Sequence, residues 1–343
     1  MGLRLLKEII QIKYSDIKII IIKNTVFNEL DYINIFKNNS NISLKIISHE
    51  QIKEDINSYK INIMFKENVT SPTIKDIAVS RSILHEYLYL NSNNGDAIWV
   101  LDEDMELFEL IRKNGLIQKN NIDIIGIIST YKNLYDAFIG NYSLDPPLPN
   151  LSTIRCSLID FMYSNIGNFD GTWLLYDLSN KNTTHQETPF KIDSKNLGDV
   201  FSGKSLGKPL FIENREIKEA TNRVGNTIIF NSEFLKIPNC SIQVCVVFGR
   251  RSDYFWVLQV KFNGYKIANI PFSTLYNRKY NEFNFQIEEI KLLKDFIGSS
   301  FTKAIEKNGL DFNKIKLYNE YHNFEERMIK FIFSFFRRIG LQY

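Results

Sequence analysis

The sequence predicts an α/β protein with a mostly parallel central sheet flanked by helices and a helical C-terminal extension. Three observations predict it. Ile17–Ile22 is an apolar, β-branched run bounded by Asp16 and Lys23-Asn24, the pattern of a strand buried on both faces. Strand-like runs then alternate with stretches of helical periodicity, and parallel neighbours need such crossovers. Residues 97–101 are apolar throughout and stop at Asp102-Glu103-Asp104, so a strand ends on an acidic cluster.

In chain order, residues 1–13 place Leu3, Leu5, Leu6, Ile9, Ile10 and Ile12 as in a short amphipathic helix. After the first strand, a helical stretch around residues 28–38 leads to a second strand at 44–47, a β-α-β start. Residues 73–90 carry Ile74, Ile77, Ala78, Ile83, Leu84 and Leu88 near helical spacing and deliver the chain to the third strand. A helix near 122–132 and a strand near 136–140 continue the alternation. Asp145-Pro146-Pro147-Leu148-Pro149 is rigid and extended, and neither a helix nor a central strand accommodates it.

Residues 163–222 are rich in Asn, Gly, Ser and Lys and predict loops and short helices, with helical stretches at 155–163 and 195–201. Strands return at 227–230 and 266–270 around a helix at 253–262, and residues beyond 288 read as helices. The predicted organisation is an N-terminal helix (1–16) packed on a main domain (17–285), then a helical extension (286–343). A chain of 343 residues exceeds the usual single-domain size and can bury a large core.

Composition narrows the function classes. Hydrophobic residues at 44% and charged residues at 24% place the chain among folded globular proteins. A net charge of +3 demands no polyanionic partner, so no nucleic acid is expected. Cys156, Cys240 and Cys245 have no C-x-x-C spacing, and an odd number excludes a complete disulfide framework. No apolar run is long enough to span a bilayer and no signal-peptide pattern is present, so the cytoplasm is the expected location. His49, His85, His185 and His322 lack ligand spacing and read as structural or surface residues. Neither G-x-S-x-G nor G-x-x-x-x-G-K occurs, which sets aside the corresponding hydrolase and nucleoside-triphosphatase chemistries.

The acidic triplet carries the chemistry. In extended backbone, two carboxylates one residue apart point to the same side, so Asp102 and Asp104 can together offer hard oxygen ligands to a dication. The carboxyl end of a parallel strand is also where open α/β sheets bind ligands. A solvated turn after a strand is the other reading of the triplet.

The stretch Ile77-Ala78-Val79-Ser80-Arg81-Ser82, a helix, then Ile98-Trp99-Val100-Leu101-Asp102-Glu103-Asp104 resembles the central part of GT-A glycosyltransferases, the broad family 2 type in particular. In that Rossmann-like fold an arginine-bearing helix precedes an apolar strand ending in D-x-D. The resemblance covers about residues 17–280 and is specific from Ala78 to Met105.

The resemblance implies transfer of a sugar from a nucleotide-diphosphate donor, UDP- or GDP-linked, to an unidentified acceptor, assisted by Mn2+ or Mg2+. It implies that Asp102 contacts ribose or metal, that Asp104 is a metal ligand, and that Arg81 approaches the diphosphate or donor sugar. A surface arginine paired with Glu86 or Asp76 is the other reading of Arg81. Lys23 and Asn24 would face the nucleobase, and Gly225-Asn226 resembles the segment that lets backbone approach the donor sugar, or is a plain turn.

Asp253 stands where inverting relatives carry the catalytic base, although Arg251 and Ser252 replace the acid usual beside it. Asp253 also reads as an N-cap for a helix beginning near Tyr254. Ser273-Thr274-Leu275-Tyr276-Asn277-Arg278 offers no histidine where many metal-dependent relatives supply a late ligand, and Arg278 could pair with a phosphate.

Two alternatives accompany this reading. A sugar nucleotidyltransferase shares the sheet and the metal but needs a glycine-rich, lysine-bearing loop, and residues 23–30 contain no glycine. A catalytically idle GT-A-like binding or assembly protein fits the missing histidine. The aromatic, basic helix expected at 324–339, with Phe331, Phe335 and Arg337-Arg338, packs on the main domain, contacts a membrane surface or forms a homo-oligomer contact.

Overall fold

The computed structural model describes residues 2–11, 16–23, 28–37, 39, 41–63, 69, 77–103, 105–114, 116–144, 174–175, 185–186, 206–207, 217–220, 228–239, 243–244, 247–276, 290, 294, 297–298, 301–306 and 308–310. The first part of the chain forms α1 (Gly2–Gln11), β1 (Ile17–Ile22), α2 (Glu29–Phe36), β2 (Ile42–Ile47), α3 (His49–Asn57) and α4 (Ile77–Asn91). Next come β3 (Ala97–Trp99), β4 (Met105–Glu106), β5 (Phe108–Lys113), β6 (Leu116–Asn121), α5 (Ile124–Tyr131) and β7 (Ala137–Leu144). The short strands β8 (Leu174–Leu175), β9 (His185–Gln186), β10 (Leu206–Gly207) and β11 (Lys218–Glu219) precede β12 (Ile228–Asn231). A 3-10 turn (Ser232–Lys236), β13 (Gln243–Val244), β14 (Val247–Phe248), α6 (Ser252–Phe262) and β15 (Ile267–Tyr276) follow.

β1 and β2 pair in parallel from Ile17↔Ile42 to Ile22↔Ile47, joined by α2 as the β-α-β pattern predicts. Asn28 caps α2 by accepting from the Leu30 amide, and Ser48 caps α3 by accepting from the Gln51 amide. Ile47, Ile52, Ile56, Ile61, Val79, Ile83 and Tyr87 close one core between this pair, α3 and α4. β1 itself is only partly buried, and the exposed Lys18 reaches the Asn91 carbonyl at 2.7 Å. The strand expected to be covered on both faces is therefore half-covered.

The larger sheet runs β11-β15-β7-β12-β3, with β4 added on β15. Its inner strands alternate by one residue between two cores, as the two-residue period of a strand requires. Ile98, Ala137, Ile139, Ile228, Phe230 and Ile267 face one core with Trp256, Val257 and Val260 of α6. Phe138, Ile229, Ala268 and Ile270 face the other, against Ile124, Ile127 and Ile128 of α5. Helices on both faces explain why these strands are apolar throughout.

The protein is thus a mixed α/β fold, and the sheet departs from the mostly parallel one expected. β15 is parallel to β7, whereas β12 is antiparallel to both β3 and β7. Burial on both faces produces the same apolar run whichever way a strand points, so pattern alone does not carry direction.

Two further elements go beyond the sequence reading. β5 and β6 pair from Phe108↔Asn121 to Lys113↔Leu116, and Asn114 at the turn has φ 54°. β15 continues past Pro271 to Tyr276, with a register shift between Asn269 and Ser273 where proline cannot donate to the ladder. Beyond residue 286, residues 301–306 are helical as expected, and Ile297 and Ile305 pack on Tyr254, Phe255 and Leu258 of α6. Residues 145–149, 155–163, 195–201 and 324–339, and all three cysteines, lie outside the described residues. Among the described residues no helix is long and apolar enough to cross a membrane.

Candidate functional site

At the end of β3 the Val100 amide still donates to Ile228 of β12, which carries the chain one residue beyond the strand. The Met105 amide then donates to the Asp102 carbonyl at 3.3 Å, closing a turn before Met105 enters β4. Asp102 therefore sits on the turn between two strands of one sheet, at the carboxyl end of β3.

Arg81 lies in the second turn of α4, with its side chain 17% exposed. Its Nη2 is 3.5 Å from Asp102 Oδ2, and its Nη1 is 3.3 Å from Asp253 Oδ1. One guanidinium thus stands between two carboxylates delivered by different elements. Glu86, the surface partner weighed for Arg81, accepts from the Asn62 amide at 3.3 Å. Asp76 lies outside the described residues.

Asp253 belongs to the first turn of α6, where a carboxylate is favoured by the amide ends of the helix. It is not the N-cap. Arg251 holds that position, in left-handed backbone with φ 73° and no side-chain capping bond, so the helix begins two residues earlier than a cap at Asp253 implies. The Phe255 amide donates to the Arg251 carbonyl, and Ser252 is buried beneath the turn. This entry aims Asp253 toward Arg81 rather than back along the helix.

Near the acidic turn stands Tyr32 of α2. Burial pushes its phenol up, and the Glu103 and Asp31 carboxylates push it the same way, so α2 lies within electrostatic reach of the turn. Lys23 ends β1 but pairs with Glu29 at 2.6 Å, and neither partner belongs to the Arg81 cluster. Asn24, Asp104, Gly225, Asn226 and Arg278 lie outside the described residues. In the segment where a late histidine ligand would fall, Thr274 and Leu275 are fully buried in the sheet.

Of the predicted dication ligands, the described residues include Asp102 alone, already beside a guanidinium. Among the described residues no group of three His, Cys, Asp or Glu side chains comes together to hold a metal ion.

Behind Arg81 and Asp253 lies a cavity of about 40 Å³, walled by Leu84 and Leu88 of α4, Val100, Phe230 of β12 and Trp256 of α6. His85 and Asn239 also line it. His85 Nε2 donates to the Leu235 carbonyl at 3.0 Å, and burial holds its pKa down against the backbone hydrogen bonds that raise it. The Trp256 indole donates to the Ile237 carbonyl at 2.8 Å. His85, expected to be a structural or surface residue, is buried and held by this bond, whereas the cavity was not expected. The signal was spacing. His85 follows Arg81 by one helical turn and Trp256 follows Asp253 likewise, so each pair shares a helix face.

The arrangement places the Arg81 guanidinium and the Asp253 carboxylate in the lining of an apolar hollow, with Asp102 on the other guanidinium nitrogen, suited to orienting a polar ligand and accepting a proton from it. The sequence matches no protein-family model, and no curated protein is similar to it.

Proposed function

We propose that the chain transfers a sugar from a UDP- or GDP-linked donor to an acceptor hydroxyl, on a GT-A-like α/β domain. The observation that carries this reading is the convergence of Arg81, Asp102 and Asp253 within 3.5 Å of one guanidinium. The resemblance gave each of these residues a separate role in one reaction centre, and they are far apart in sequence.

In this reading Asp253 accepts the proton of the acceptor hydroxyl as its oxygen bonds to the anomeric carbon. The bond from that carbon to the diphosphate oxygen breaks, and the nucleoside diphosphate leaves with the electron pair. Arg81 holds Asp253 in place before substrate arrives, and offers forked donors to phosphate oxygens when they do. Asp102, with Asp104, would hold Mn2+ or Mg2+, which supplies electrostatic stabilisation of the leaving diphosphate. The nucleobase and donor-sugar roles of Lys23, Asn24, Gly225, Asn226 and Arg278 belong to the same proposal.

Calorimetry with UDP and GDP in the presence of Mn2+, followed by a transfer or donor-hydrolysis assay, tests it. Binding of one nucleotide that disappears in Asp104→Ala is the expected result. A folded protein that binds neither nucleotide overturns the reading, and full activity in Asp104→Ala removes the metal from it.

A further inference from the structure

We infer, on the sugar-transfer reading of this site, that Asp253 occupies in the resting protein the guanidinium that the donor diphosphate needs, so that donor binding releases Asp253 and precedes the acceptor. Arg81 Nη1 lies 3.3 Å from Asp253 Oδ1 and Nη2 lies 3.5 Å from Asp102 Oδ2, so both terminal nitrogens face acids. A charge-assisted N–H···O bond spans about 2.7–2.9 Å. Both contacts are longer, and the cation is shared between two partners without being committed fully to either.

A guanidinium takes a phosphate through two parallel N–H groups, at the full strength of such bonds. Forking onto a diphosphate through the terminal nitrogens therefore turns Arg81 away from at least one acid. The diphosphate decides which. It arrives on the Asp102 side with its cation, and that cation compensates the Asp102 carboxylate when Arg81 moves. Asp253 stands on α6, and Arg81 is the cation paired with it among the described residues. The Asp253 contact is the one that breaks.

The backbone on both sides is held while this happens. Ser82 Oγ donates to the Asn239 carbonyl at 2.6 Å and His85 Nε2 to the Leu235 carbonyl at 3.0 Å, which fixes the turns of α4 around Arg81. The Arg250 amide donates to the Lys294 carbonyl at 2.8 Å, which fixes the entry to α6. The exchange is a rotation of the Arg81 side chain. It leaves Asp253 in place with its oxygens available to the acceptor hydroxyl, which before that competes with a guanidinium for them.

Calorimetry of the full chain with UDP and GDP in the presence of Mg2+ compares the parent with Asp253→Asn and Glu103→Gln. Asp253→Asn frees the guanidinium without removing it and should bind the nucleotide about tenfold tighter, as when the competent arrangement is about one-tenth of the resting population. Glu103→Gln removes the same charge from an exposed position on the acidic turn and should change affinity by less than about twofold.

A second measurement needs no variant to fold. In 1H–15N spectra of the parent chain, the Asp253 amide should shift in step with the Arg81 side-chain Nε–H as nucleotide and Mg2+ saturate the site. Nucleotide binding by the parent that is not tightened in Asp253→Asn, equal tightening in both variants, or an Asp253 amide that stays still while Arg81 moves would each overturn the inference and leave sugar transfer standing. Absence of nucleotide binding in all three proteins overturns both.

Discussion

Arg81 Nη1 stands 3.3 Å from Asp253 Oδ1, and Nη2 of the same guanidinium lies 3.5 Å from Asp102, so one cation on α4 holds the start of α6 and the turn after β3. The side chains involved are 16–26% exposed, too buried for water to replace the lost partner fully. Truncating a fully buried ionic partner costs about 3–5 kcal/mol, and the partial exposure here brings the expected cost of Arg81→Ala to about 1–3 kcal/mol. The double variant Arg81→Ala/Asp253→Asn removes part of the leftover charge and should be less unstable than the sum of its single variants. Urea denaturation of the four proteins measures this, and strict additivity would show that the pair is not coupled.

Much of this cluster was legible in the sequence because its parts are local patterns. An apolar run ending in Asp102 and an arginine on a strongly periodic helix are visible without knowing the fold. What the sequence did not reveal was the wiring. That Arg81 joins both acids depends on α6 beginning at Ser252 from a left-handed Arg251, a backbone conformation that no residue preference announces. Strand direction was lost for a related reason, since Ile228, Ile229 and Phe230 are buried whichever way the strand runs. The β5–β6 hairpin, by contrast, was marked by Asn114-Gly115 between two strand-like runs, and α3 by Ser48 three residues before Gln51.

Tyr87 donates a 2.7 Å hydrogen bond to Asp55 in the core between α3 and α4. Burial pushes the Asp55 carboxyl up, but bonds from Tyr87, Lys60 and Gln51 outweigh it and hold the pKa below the usual aspartate value. A depressed folded pKa gives stability that is present above the unfolded value, about 3.9, and lost as pH falls through the folded one. Tyr87→Phe should cost about 1.5–3 kcal/mol at neutral pH. It should also move the midpoint of acid unfolding upward, because the buried carboxylate loses one of its donors. Far-UV circular dichroism across an acid titration reads both effects.

His85 gives a second pH dependence in a different window. Its folded pKa is lowered by burial, so the native state resists protonation while the unfolded chain titrates near about 6.5. Stability is complete above that value and declines as pH falls below it, until the folded pKa is reached, with a slope of at most about 1.4 kcal/mol per pH unit. His49, also lowered chiefly by burial, contributes with the same sign. In His85→Gln the stability measured by urea unfolding between pH 7 and 5 should fall less steeply than in the parent. An unchanged slope would mean that His85 titrates alike in both states.

Gly298 sits against the Arg250 carbonyl, just before the start of α6. A Cβ built there would overlap the Arg250 carbonyl oxygen and lie 2.7 Å from its carbon, and backbone at that position cannot swing aside as a side chain would. The Arg250 amide donates to the Lys294 carbonyl at 2.8 Å, so this contact anchors the chain immediately before Asp253. Gly298→Ala should destabilise by about 3 kcal/mol, at the upper end of overpacking, and should loosen the Arg81–Asp253 pair with it. Gly264→Ala is the control: nothing lies within 4 Å of its Cβ position, and the only penalty is φ +87°, about 1–2 kcal/mol of backbone strain. Thermal unfolding ranks the two variants, and the Trp256 indole resonance should move in Gly298→Ala alone, because only that substitution displaces the backbone leading into α6.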